Sequence, residues 1–178
     1  MANEMKQGLF AITLEPLALK NLIATLNSLD KETQNRVRDA ALPLSERLAG
    51  QLRQYADSAP APQTKLVAES IQAKRDRLNR VDVGGTKKVG RPYGGEDSKS
   101  GKSKVRLKRA PAGALLWGTE YGSTRGVDSM GRPYTDRFKV RRNTKGYWIN
   151  PAVDYYAPIV AREYEEIIFK LIKDLELD

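Results

Sequence analysis

Residues 150–175 read NPAVDYYAPIVAREYEEIIFKLIKDL. Ile159, Val160, Tyr164, Ile167, Ile168, Leu171, Ile172 and Leu175 recur there at helical spacing, marking a wide face to be buried. Asn150 before Pro151 reads as an N-cap followed by the residue whose missing N–H costs least in a first turn. A long C-terminal helix is expected, with Pro158 splitting off a short lead-in turn. Glu165 and Glu166 are neighbours, so they diverge by about 100° on a helix, and Arg162 and Lys170 lie at four-residue spacing. Surface ion pairing is expected of them rather than acid–base chemistry.

Such a face needs partners, and the N-terminal half supplies them. Asp30 can cap a helix in which Val37, Ala41, Leu44, Leu48, Leu52 and Tyr55 form one stripe over five turns, with Glu32 favourably placed in its first turn. Pro43 should kink it near Asp39. Ahead of it, Leu17 to Leu29 carries Leu19, Leu22, Ile23 and Leu26 at helical spacing. Behind it, Ala59-Pro60-Ala61-Pro62 makes an extended turn, and Thr64 to Ile71 a short helix with Leu66, Val67, Ser70 and Ile71 on one side. Short strands are expected where Val81 and Val83, and Val105 and Leu107, alternate with other residues, and two more strands or extended segments at Phe138 and Val140 and at Tyr147 and Ile149. The class is therefore α+β in a single domain over residues 1–178: N-terminal amphipathic helices, a small mixed β-sheet with long basic loops, and the long C-terminal helix packed on the sheet.

Composition narrows the chemistry. The chain has neither histidine nor cysteine, which removes Ser-His triads, cysteine nucleophiles, imidazole or thiolate metal sites and disulfides. No cofactor, metal site or catalytic constellation is expected. There is no apolar run of membrane-spanning length and no signal-peptide core, so a soluble protein made in a cytoplasm is expected. The net charge of +9 is unevenly spread: residues 1–73 are neutral, 74–109 carry +9, 125–145 carry +5, and 146–178 carry −4. Two glycine-rich stretches hold much of it, a flexible basic insertion at 84–104 and a second loop at 122–136. Lys87, Lys88, Arg91, Lys99, Lys102, Lys104, Arg106, Arg132, Arg141 and Arg142 are the candidates for contact with DNA phosphates or acidic protein neighbours; Lys108 and Arg109 extend the first cluster.

Two motifs have plainer readings. Gly95 to Ser103 resembles a phosphate-cradling loop, but its first glycine is one residue too far from Gly101-Lys102-Ser103, and no strand-to-helix context surrounds it. Gly-Arg-Pro-Tyr occurs at 90–93 and at 131–134; a minor-groove reader would usually have a second arginine before the glycine, where Val89 and Met130 stand, so turns are expected. Trp117, Tyr121, Tyr147, Trp148, Tyr155 and Tyr156 crowd into the last third, and most are expected in the core. The same bias suits a subunit interface, for which Trp117, Tyr121, Trp148 and Tyr155 are the candidates.

The order of these elements resembles a family of neck and tail-completion proteins of long-tailed bacteriophages, of the minor tail protein Z type. The resemblance rests on the leucine-rich opening at Leu17 to Leu29, then Ala40-Ala41-Leu42, then Pro62, Thr64, Leu66, Ser70 and Ile71 of a Pro-x-Thr-Gly-x-Leu-x-x-Ser-Ile segment, in which Lys65 replaces the glycine. It continues through Leu115-Leu116-Trp117-Gly118-Thr119 and Tyr147-Trp148-Ile149-Asn150-Pro151-Ala152-Val153. It implies a structural virion protein without enzymatic activity, assembled in the host cytoplasm into a sixfold ring at the head–tail junction. Its partners there would be head-completion or adaptor proteins, tail-tube or tail-terminator proteins and packaged DNA, with no membrane. The alternative expected from charge alone is a stand-alone, sequence-nonspecific DNA-binding protein.

Overall fold

A computed structural model describes residues 9–13, 31–93, 108–123, 126–127, 133–134 and 138–176. The stripe that begins at Val37 forms one helix, α1 (Lys31–Ser58), with Val37, Ala41, Leu44, Leu48 and Leu52 buried. Pro43 lies inside it without ending it. Burial of Ala41 and Leu44 on either side of the proline offsets the one backbone bond its ring removes. The leucine-rich segment 17–29 lies outside the described residues.

After Ala61, helix α2 (Thr64–Ala68) stops short of the expected Ile71. Ser70 is the reason: its N–H turns back to the Val67 carbonyl at 2.9 Å, and its hydroxyl donates to that carbonyl at 2.6 Å while accepting from Gly84 N–H at 2.7 Å. Three strands, β1 (Leu9–Thr13), β2 (Gln72–Lys74) and β3 (Arg80–Gly84), form an antiparallel sheet in the order β1-β3-β2, with Phe10 opposite Val83 and Ala73 opposite Val81. Val81 and Val83 are fully buried, as their alternation predicts. Buried serines hold both ends of β3: Ser45 of α1 accepts from Arg80 N–H at 3.1 Å, and Ser70 takes Gly84. Beside β2, Arg75 donates to exposed Asp39 of α1 at 2.5 Å, and this bond holds the Asp39 carboxyl below the ordinary carboxylate range.

Strands β4 (Lys88–Tyr93) and β5 (Lys108–Pro111) pair antiparallel and lead directly into α3 (Ala112–Tyr121). The basic insertion expected to be a loop from Gly84 is thus a strand over Lys88–Tyr93; residues 94–107 lie outside the described residues. Within the second expected loop, β6 (Gly126–Val127) pairs with β7 (Pro133–Tyr134). Residues 138–148 are turns and irregular backbone rather than the expected strands or extended segments. Lys139 has φ +54, which breaks an extended path, and Ile149 already opens α4 (Ile149–Glu176).

Helix α4 runs through Pro158 without a split. Val160, Tyr164 and Ile168 are buried on one side, and Tyr164 donates from its hydroxyl to the Arg77 carbonyl. Its principal partner is α1. Arg47 of α1 pairs with Glu163, and Tyr55 meets Tyr156 edge to face at 6.3 Å. Because α1 also packs on β2 and β3, it stands at the centre of the core. The class is α+β with a long C-terminal helix, and every strand pairing among the described residues is antiparallel.

Candidate interaction face

Helix α3 joins the two places where most of the described candidate residues lie. Pro111 precedes it and offers no side-chain cap. The turn after β3 takes that role: Ala112 N–H donates to the Lys87 carbonyl at 2.8 Å and Gly113 N–H to the Gly85 carbonyl at 2.9 Å. Gly84 and Gly85, at φ 89 and 76, supply the left-handed backbone that aims those carbonyls at the helix. The same contacts seat the β4–β5 hairpin at the start of α3. Val89 points inward and is buried, whereas Lys88, Arg91 and Arg109 are exposed and Lys87 bonds the Glu69 carbonyl. The register slips between Val89 and Tyr93, and Gly90 sits in this bulge at φ +72. The first Gly-Arg-Pro-Tyr is therefore a bulged strand rather than a turn, and the second places Pro133 and Tyr134 in β7. Both prolines lie in two-stranded pairs, where a missing N–H is tolerated at an edge.

At the other end of α3, glycine allows close approach. A Cβ on Gly118 would fall 2.0 Å from the Phe138 ring, and one on Gly122 would fall 2.2 Å from the Arg141 carbonyl. Phe138 to Asn143 is thereby drawn against the helix end, with Ser123 N–H on the Val140 carbonyl at 3.0 Å and Asn143 N–H on the Tyr121 carbonyl at 2.9 Å. This places Arg142, Asn143 and Thr144 beside Trp117 and Tyr121, around an open cleft of about 410 Å³. The two rings stack at 5.2 Å with 22° between planes, and Trp117 is 47% exposed. An exposed aromatic shelf beside a guanidinium can stack a planar or apolar group while holding an anion.

A buried carboxylate fixes the orientation of α3 against α4. Glu120 accepts from three successive N–H groups at the start of α4: Trp148 at 3.1 Å, Ile149 at 2.8 Å and Asn150 at 2.9 Å. It does what Asn150 was expected to do as N-cap; Asn150 instead donates its side-chain amide to the Tyr121 hydroxyl at 3.1 Å. A carboxylate at a helix N-terminus satisfies orphan donors and meets the positive end of the helix dipole.

Of the sequence candidates, Lys87 and Lys88 lie beside the start of α3, Arg91 farther along β4, and Arg141 and Arg142 at the helix end; the helix between has ten residues, about 15 Å. Trp117 and Tyr121 lie between them. Tyr155 is exposed on α4, away from this cleft. Trp148 is corrected: it is fully buried with Ile149 and Ala152, so it belongs to the core and presents no surface to a partner. Lys99, Lys102, Lys104, Arg106 and Arg132 lie outside the described residues, as does the Gly95–Ser103 stretch. Glu120 went unnoticed in the sequence, since nothing local marks it. Among the described residues no His/Cys/Asp/Glu group could hold a metal ion, and no helix is long and apolar enough to cross a membrane. No family model matches the chain, and neither a curated protein nor a solved structure matches it.

Proposed function

We propose that the chain is a structural subunit of the junction between head and tail of a long-tailed bacteriophage, one copy of a ring whose role is assembly rather than catalysis. The observation that carries this reading is exposed Trp117, stacked on half-buried Tyr121 with Arg142 at the edge, on a molecule whose other tryptophan is wholly buried. Large exposed aromatics beside arginine are what protein interfaces enrich. The place in the virion comes from the resemblance of the ordered motifs. Their residues are joints of the fold: Ser70 holds Gly84, Gly118 admits Phe138, Thr119 is buried and bonds the Leu116 carbonyl at 2.9 Å, and Trp148, just before α4, donates its N–H to Glu120.

In this reading the shelf meets the next copy or an adjoining ring, and the basic hairpin faces DNA or acidic protein. A stop codon early in the gene tests it. DNA-filled heads and finished tails should accumulate unjoined, and restoring the protein should join them. Infectious particles of normal form without the protein would overturn the proposal. The exposed Lys88, Arg91 and Arg109 favour one second reading, a sequence-nonspecific DNA-binding protein outside any particle.

A further inference from the structure

Helix α4 has a second face that its packing on α1 leaves open. Tyr155, Ile159, Arg162, Glu166, Phe169 and Lys173 recur at steps of four, three, four, three and four, and all six are exposed. Tyr155 is 61%, Ile159 40% and Phe169 66% exposed. The buried Val160, Tyr164 and Ile168 lie on the opposite side of the helix. Alternating steps of three and four are the spacing of a coiled-coil seam. Among the described residues, Arg162, Glu166 and Lys173 have no ion-pair partner.

We propose that a second copy of this chain docks on this face with its α4 antiparallel, about a two-fold axis level with residue 164. The order of residue types argues for this occupant, because the seam is complementary to itself when reversed. Arg162 then meets Glu166 of the partner subunit, Ile159 meets the partner's Phe169, and Tyr155 meets the partner's Lys173. Each contact occurs twice. They are an ion pair, an apolar pair and a cation over an aromatic ring, which places every side chain of the seam opposite one it attracts. A parallel pairing sets Arg162, Glu166 and Lys173 each against its own copy, so like charges oppose it. A two-fold contact of this kind closes at two copies. It is separate from the head-to-tail contacts a ring needs, and it stands whether or not the chain belongs to a virion.

The test is sedimentation velocity of the full chain from about 1 to about 100 µM, since a single helix pair is a small interface and micromolar association is expected. The parent chain should pass from monomer to dimer over this range. Arg162→Glu and Glu166→Arg should each weaken self-association at least about tenfold, because each sets like charges together twice. An equimolar mixture of the two variants should recover a dimer, since the carboxylates of one chain then face the guanidinium groups of the other. Both positions are exposed, and circular dichroism of each variant confirms its folding. Because the chain has no cysteine, orientation can be read directly: Arg162→Cys mixed with Glu166→Cys should form a disulfide-linked heterodimer on oxidation, while neither alone does. A parent chain that stays monomeric throughout, charge variants that associate as well as the parent, or cross-linking of Arg162→Cys with itself would overturn the proposal.

Discussion

Glu120 is the residue on which most depends. Its carboxylate is buried and takes three backbone N–H groups of α4, so removing it leaves three donors without a partner inside the protein. Glu120→Ala should lower unfolding free energy by about 3 kcal/mol or more in urea titrations. Glu120→Gln should lose less, about 1–2 kcal/mol, because one oxygen remains while the amide nitrogen faces a donor. Gly146 belongs to the same joint: its φ is +81, and a Cβ there would fall 1.9 Å from Glu120 Oε1. Gly146→Ala should therefore approach the loss of Glu120→Ala, and the double variant should lose much less than the two added together. Tyr164 makes a different prediction. Burial chiefly, with the nearby Asp76 charge adding to it and Arg77 opposing, pushes its phenol up to about 12. The folded state then holds this proton more tightly than the unfolded chain, whose phenol titrates at about 10. The stabilisation is complete below pH 10 and is lost as pH rises from there towards 12. Tyr164→Phe should cost about 1 kcal/mol at neutral pH through the lost bond to the Arg77 carbonyl, and should flatten the fall in stability over that alkaline window.

At the scale of elements, joints made by single hydroxyls decide where helices stop and strands begin. Ser70→Ala should leave Gly84 N–H buried without its acceptor, cost about 1–3 kcal/mol, and speed hydrogen exchange at Gly84 more than at Val81. Elements buried on one side were legible in the sequence. Helices α1 and α4 each set buried residues at helical spacing against charged ones, and β3 alternates. Helix α3 was not legible, because Ala112 to Trp117 is apolar on all sides and shows no period. Strand β4 was hidden by Gly90, Arg91 and Pro92, which read as a turn until a bulge and a two-stranded edge give them a place. Pro158 read as a split, but α4 continues through it, and α1 likewise continues through Pro43, which read as a kink. The face itself was half legible: residue types singled out Trp117, Tyr121 and Arg142, while only folding brings Arg142 back across the end of α3. Glu120 was illegible because its acceptor role is defined by backbone N–H groups 28 to 30 residues away.

The whole molecule divides between a packed α1–α4 core and a face built on α3 with cations at both ends, and this division makes the electrostatics testable. If the hairpin cations Lys88, Arg91 and Arg109 touch phosphates, binding to duplex DNA should weaken with salt by roughly 0.9 log units per log unit for each phosphate neutralised. Replacing all three by Gln should lower that slope by about 2.7, and replacing Arg141 and Arg142 should lower it by about 1.8 if both ends of α3 share one duplex. Helix α3 itself is about 15 Å long, and a duplex shared by its two ends would show as slope changes from both sets of variants. Equal losses on unrelated sequences would identify backbone contacts, because phosphates carry no sequence information. A slope that changes with the hairpin variants alone would confine DNA to the start of α3 and leave the Trp117–Tyr121 shelf for protein. If the parent chain binds no duplex even at low salt, the second reading falls. The exposed cations would then be complementary to acidic protein surface, for which the C-terminal 146–178 segment of a neighbouring copy, at net −4, has the required sign.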